Sequence, residues 1–178
     1  MKSAVVRPPK TIMEVFRNLP EGTLAELIDN VICKSPTPVT NHQKVLQTLF
    51  RRLSEQIEDI GKGQVIVAPF DIYLDETSNA VQPDIVVILA ANKNQPVPKG
   101  HFHGSPDLVV EILSPGNRDH DLVKKKELYE RFGIKEYWIV DPETKATIVY
   151  ALHLGKYKTI PSEQGNIPSQ LLAMSFVF

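Results

Sequence analysis

Residues 107 to 141, DLVVEILSPGNRDHDLVKKKELYERFGIKEYWIVD, read as strand, helix, strand, and the remainder of the chain can be organised around them. The first strand is apolar except for one acid, Glu111. Strand alternation puts Glu111 on one side with Val109 and Leu113, and Leu108, Val110 and Ile112 on the other. With both faces suited to burial, a carboxylate there is costly to desolvate unless a cation or hydrogen-bond donors meet it.

The helix is expected to begin after Asp119 and to end at Gly133, a residue suited to a left-handed C′ position. Leu122, Lys125, Tyr129 and Phe132 fall at steps of three, four and three and form one stripe of an α-helix. Lys125 is therefore expected to point inward, while Lys124 and Lys126 turn about 100° to either side and can be solvated. Asp121, one turn before Lys125, can pair with it or orient it. A helix that packs on its preceding strand lies roughly 10 Å from it, within the span of a lysine stem. Lys125 can thus reach Glu111, as a buried ion pair or as part of a site, or else snorkel to the rim.

Outward from this unit, Asp84 opens the strand read in VQPDIVVILA, where Pro83 takes a first position that tolerates a missing amide. If that strand neighbours the one with Glu111, two carboxylates meet at one end of the sheet. Two carboxylates with few softer ligands suit Mg²⁺ or Mn²⁺. A lysine beside such an ion suits metal-assisted phosphodiester hydrolysis.

Upstream, residues 1 to 10 read as a loose tail, and Thr11 is placed to cap a short helix ended by Leu19-Pro20. AELIDNVIC reads as two short strands, with Glu26 in the first, about an Asp29-Asn30 turn. In the segment 42 to 57, Leu46, Leu49, Phe50, Leu53 and Ile57 have helical spacing. His42 stands at its start, and Lys44, Arg51 and Arg52 lie on its outer face, where they read as solvated charges or phosphate contacts. QVIVAPFDIYL supplies one long or two short strands interrupted near Pro69. Ala91 to Pro106 reads as a long loop carrying His101 and His103. ATIVYALH and Lys156 to Ile160 form a hairpin, and LLAMSFVF reads as a final strand or packed tail.

The chain has 178 residues, 42% hydrophobic, with a net charge of −1. That length suits a single domain spanning 1 to 178 with a core that needs no covalent staple. The charge argues against a strongly basic nucleic-acid surface overall, though not against a local groove. Cys33, the single cysteine, can form no intramolecular disulfide and reads as a small packed residue. With no long apolar run, a reducing, cytoplasmic setting without membrane contact is expected.

The order Pro83-Asp84, Glu111 within VVEILSP, then Asp121, Lys125 and Tyr129, then Gly133 and EYWIVDP closely resembles the Uma-two family. These restriction-endonuclease-like proteins, formerly a domain of unknown function, belong to the PD-(D/E)XK nuclease superfamily. The resemblance spans about residues 11 to 160. It implies an α/β (mixed α+β) fold with a restriction-endonuclease-like core: a central mixed β-sheet flanked by helices, with an extra N-terminal hairpin and C-terminal strands. It implies an Mg²⁺-dependent (or Mn²⁺-dependent) endonuclease acting on DNA, with a homodimer suited to cutting two strands. Asp84, Glu111 and Lys125 would be catalytic, and Asp84, Glu111 and the Ile112 carbonyl would hold the metal, with Glu26 a further acid. Asp121, Tyr129 and His42 would support them. The superfamily's usual lysine, two residues after the acid, is here Leu113, and Lys125 would supply the ammonium from the helix. Pro106-Asp107 is a second PD pair on the wrong part of the strand. The alternative is a nuclease fold without catalysis, serving as a DNA-binding or protein-interaction module.

Overall fold

A computed structural model describes residues 8–98, 100–115 and 120–178, with every side chain in them except those of His120 and Asp121. Most of the expected tail and the expected helix start at Asp119 lie outside the described residues.

The unit that opened the sequence reading forms the centre of a six-stranded sheet. β8 (Leu108–Ile112) runs parallel to β9 (Glu136–Val140). On its other side β8 is antiparallel to β6 (Ile85–Leu89), followed by β3 (Gly63–Val67) at that edge. The hairpin of β10 (Thr147–His153) and β11 (Lys156–Ile160) completes the order β11-β10-β9-β8-β6-β3. One parallel pair among antiparallel ones makes the sheet mixed, as the sequence led us to expect. The alternation of β8 is also as read. Leu108, Val110 and Ile112 join the core under α2 (Thr40–Ile57), whose Leu46, Leu49, Leu53 and Ile57 are buried. Val109 and Leu113 join a second core on the opposite face, with Leu128, Tyr129 and Tyr137.

A second sheet of five strands has the order β2-β1-β5-β4-β7. β1 (Ala25–Ile28) and β2 (Val31–Lys34) form the expected hairpin, and Asp29 and Asn30 take φ of 48° and 64° at its tip. Those two residue types tolerate the left-handed conformation such a two-residue turn demands. α1 (Ile12–Arg17), capped by Thr11 Oγ1 accepting from the Glu14 amide, buries Met13 and Phe16 against this sheet.

Three elements differ from the sequence reading. The strand expected across VQPDIVVILA is divided: β5 (Ala80–Val81) pairs with β1 and β4 (Ile72–Tyr73) in the second sheet, whereas β6 belongs to the first. Pro83, which has no amide to donate, lies between them where the chain changes sheets. QVIVAPFDIYL forms two strands, β3 and β4, the second of the alternatives read from it, and these too lie in different sheets. The loop from Ala91 to Pro106 contains β7 (Phe102–His103), parallel to β4 and anchored by the fully buried Phe102. A two-residue pairing leaves no periodicity to read. Finally, the terminal strand β13 (Met174–Val177) pairs with an unexpected β12 (Asn166–Ser169).

A fully buried carboxylate holds that terminal hairpin to the sheet. Glu136, on β9, accepts hydrogen bonds from Ser169 Oγ at 2.6 Å and Trp138 Nε1 at 3.0 Å. It also accepts from the amides of Gln170 at 2.7 Å and Leu171 at 2.9 Å. Four donors offset the desolvation of one charge, and they have no comparable partner without it. Glu136→Ala is expected to lower unfolding free energy by about 3 kcal/mol. Urea denaturation, with hydrogen exchange of the 166–177 amides as a local readout, checks this.

Candidate active site

Between β8 and the helix expected to follow it, the described chain takes a wider path. Residues His120–Lys125 form a π-helix that passes into α3 (Lys126–Arg131). Such turns are rare and recur at functional sites. Lys125 is the last residue of the π segment, 4% exposed, and Tyr129 is fully buried. The inward direction expected for both is thus observed, although the α-helical stripe begins only at Lys126. Leu122 and Phe132 are half-buried against the same core.

The lysine ends between two carboxylates contributed by different sheets. Lys125 Nζ lies 2.9 Å from Glu111 Oε1 on β8 and 3.0 Å from Glu26 Oε2 on β1. Both carboxylates are buried. Tyr129 donates its hydroxyl to Glu111 Oε1 at 2.7 Å, and the Gln82 amide donates to Glu26 Oε1 at 2.9 Å. Burial first, and then the charges of Glu111 and Glu26, hold the Tyr129 pKa well above the usual phenol value. Its hydroxyl therefore remains a donor throughout the ordinary pH range.

Asp84 arrives from the neighbouring strand. The β6–β8 register pairs Ile85 with Val110, so one step further Asp84 falls opposite Glu111. Asp84 Oδ2 accepts from the Ile112 amide at 2.7 Å and lies 3.1 Å from His42 Nε2. His42 is buried at the start of α2, and its Nδ1 has no hydrogen-bond partner among the described residues. Asp84, Glu111, Ile112, Lys125 and His42 line one small cavity of about 70 Å³, together with Ser114.

Of the side chains singled out from the sequence, Glu26, His42, Asp84, Glu111, Lys125 and Tyr129 are brought together, and the Asp121 side chain lies outside those described. His101 and His103 belong elsewhere, beside Tyr73. Asp107 accepts from the Leu89 amide, Asn92 and Lys135, a structural role that fits its exclusion as a motif acid. Lys44, Arg51 and Arg52 are exposed on α2. Gln82 was not foreseen. Its place immediately before Pro83-Asp84 was visible in the sequence, but its amide reaches the site only because Pro83 ends one strand and β6 begins another.

The donor set suits a hard divalent cation. Asp84 and Glu111 offer carboxylate oxygens to the same cavity, whose volume is that of about two liquid waters. Among the described residues no three His, Cys, Asp or Glu side chains form a closed metal cage. Such an ion would therefore draw on these two carboxylates and complete its shell with water or substrate oxygens. Both Glu26 oxygens also meet donors, Oε2 the Lys125 ammonium and Oε1 the Gln82 amide.

A mixed sheet flanked by helices, with two carboxylates and a lysine gathered at one end, defines a restriction-endonuclease-like fold. The protein belongs to the Uma2 family, described as "Putative restriction endonuclease", whose sequence profile matches residues 13–177. In three dimensions it is similar to a protein from Anabaena variabilis, described as a putative nuclease belonging to DUF820. The TM-score is 0.74 over 93% of this chain and 92% of the other, at 18% sequence identity. That likeness is one of fold. No curated protein matches the chain in sequence. Among the described residues, no helix is long and apolar enough to cross a membrane.

Lys125→Met leaves Glu26 and Glu111 buried without their shared cation, and a loss of about 3–5 kcal/mol in unfolding free energy is expected. Tyr129→Phe keeps Lys125 on Glu111 and is expected to cost about 1–2 kcal/mol. The raised Tyr129 pKa also fixes a sign. Above pH 10 the phenol ionises in the unfolded chain while the folded chain keeps it protonated, so its stabilising contribution is complete below that pH and falls as pH rises. Urea midpoints measured from pH 8 to 11 are expected to fall less steeply for Tyr129→Phe than for the wild type.

Proposed function

We propose that the protein is a metal-dependent endonuclease that hydrolyses phosphodiester bonds in DNA, with Asp84, Glu111 and Lys125 as its catalytic residues. The observation that carries this is their convergence on one cavity, on neighbouring strands and the helix that packs over them. Membership of the Uma2 family supports the reaction class. Asp84 and Glu111, with the Ile112 carbonyl, would hold Mg²⁺ or Mn²⁺. When bound, the ion supplies Lewis acidity toward the phosphate and lowers the pKa of a coordinated water.

The protein's own groups provide the positioning. Glu26 and Glu111 fix the Lys125 ammonium at the cavity wall, where it donates to a phosphate oxygen or orients the attacking water. Tyr129 holds Glu111 in one rotamer by donating to the oxygen that also meets Lys125. His42 and the Ile112 amide fix Asp84 in the same way, so both carboxylates are set before substrate arrives. Paired copies, each cutting one strand, would suit duplex cleavage, and sedimentation velocity of the protein with and without DNA tests that dimer.

Supercoiled, linear and single-stranded DNA incubated with the purified protein and Mg²⁺ or Mn²⁺ test the activity. Cleavage is expected, with Asp84→Asn and Glu111→Gln each reducing it at least about 100-fold while circular dichroism stays native. Calorimetric titration with Mn²⁺ should give saturable binding that both substitutions abolish. Uncut DNA in every form, or full activity in Asp84→Asn, defeats the proposal. DNA bound but uncut, with no Mn²⁺ binding, identifies a non-catalytic module on the same fold.

A further inference from the structure

A second cavity, much larger at about 510 Å³, adjoins the carboxylate cluster. Gln82 lines both cavities. Its amide donates to Glu26, while its side-chain Nε2 donates to Asp71 Oδ1 at 2.7 Å. The two spaces are therefore joined by a continuous run of hydrogen bonds, Lys125 to Glu26 to Gln82 to Asp71.

The lining of the larger cavity is not that of a phosphate site. Arg17, the arginine among its described lining residues, is paired with Glu76 at 2.5 Å and lies over the Tyr73 ring at 5.1 Å. Acids, Asp71 and Glu21, also face the space. Among the described residues the lining holds no surplus positive charge to attract a polyanionic backbone. The aromatic surface open to it is instead that of Phe70 and His101, backed by the buried Phe16 and by Tyr73, whose ring is itself stacked on His103 at 4.9 Å and edge to face with His101 at 5.5 Å. Asp71 also has acceptor capacity to spare. Its Oδ2 is 3.6 Å from His101 Nδ1, beyond hydrogen-bonding distance.

A planar heteroaromatic group with an amino substituent fits these walls and this acceptor. We infer that the cavity formed by Phe70, Asp71, Tyr73, Gln82 and His101 receives an unstacked nucleobase bearing an exocyclic amine, next to the bond to be cut. Adenine, cytosine and guanine carry that amine and thymine does not. Carboxylates accept from such amines, and aromatic side chains stack on bases released from a helix or a single strand. The inference rests on the nuclease function proposed above, and it makes the substrate a strand whose base is free to leave the stack.

The free base-binding event can be measured apart from cleavage. The full chain, in buffer containing EDTA, is titrated with deoxyadenosine, deoxycytidine or thymidine while the histidine ring C–H resonances are followed by NMR. The His101 resonances are expected to shift with the first two nucleosides and much less with thymidine. Asp71→Ala is expected to weaken deoxycytidine binding roughly tenfold. Phe70→Leu, which leaves every hydrogen bond in place, is expected to weaken all nucleosides roughly fivefold. No shift at His101 with any nucleoside, or equal affinity in both variants and the wild type, overturns the inference. Cleavage of DNA by a chain that binds no nucleoside removes the base pocket and leaves the nuclease. Nucleoside binding by a chain that cuts no DNA supports the pocket and removes the nuclease.

Discussion

The ammonium of Lys125, shared between Glu26 and Glu111, is the contact on which the arrangement depends. It is the point where the six-stranded sheet, the five-stranded sheet and the helix after β8 meet. Each charge is buried, so each pays a desolvation cost that only the others and their hydrogen-bond donors offset. The cluster is consequently exacting about geometry. The Gln82 amide must point at Glu26, the Tyr129 hydroxyl at Glu111, and the π-helical turn must deliver the lysine. An apolar cluster of similar volume would tolerate small slips in any of these. This one does not.

The sequence carried the central unit because its signals were local. An acid in an apolar strand and a lysine on the inward stripe of the next helix are short-range patterns, and alternation in β8 divided its residues correctly between the two cores. The β1–β2 turn was legible through Asp29 and Asn30, and the second helix through its leucines. Readings that needed pairing partners were weaker. Pro83 was visible, but not that the chain leaves one sheet there and enters another. Phe102 anchors a strand of two residues, too short for periodicity to register. Nor could spacing distinguish π from α over His120–Lys125, because the extra residue per turn changes hydrogen bonds before it changes the apolar pattern.

The candidate site was legible to the same degree. Glu111 and Lys125 follow from local geometry, and Asp84 follows once two strands are supposed adjacent. Glu26 and His42 entered through family resemblance, since nothing in a four-residue strand or a first helical turn announces a distant partner. The structure adds why both are there. Glu26 reaches Lys125 across the two sheets, and His42 reaches Asp84 from α2 on the face opposite the lysine's helix. Family likeness located these side chains in the sequence, and sheet topology explains their contacts.

The joining of two sheets through one lysine also has a kinetic consequence. Glu26 and Asp84 come from parts of the chain distant from Glu111 and Lys125, and β8 must pair in parallel with β9 across an intervening crossover. Contacts of such long sequence separation form late, because loop closure is costly before they reward it. A partly folded chain therefore lacks Glu26 and Asp84 beside the Glu111–Lys125 pair, and the cluster is not assembled. The cluster is complete only when both sheets are, so its assembly marks a late step of folding.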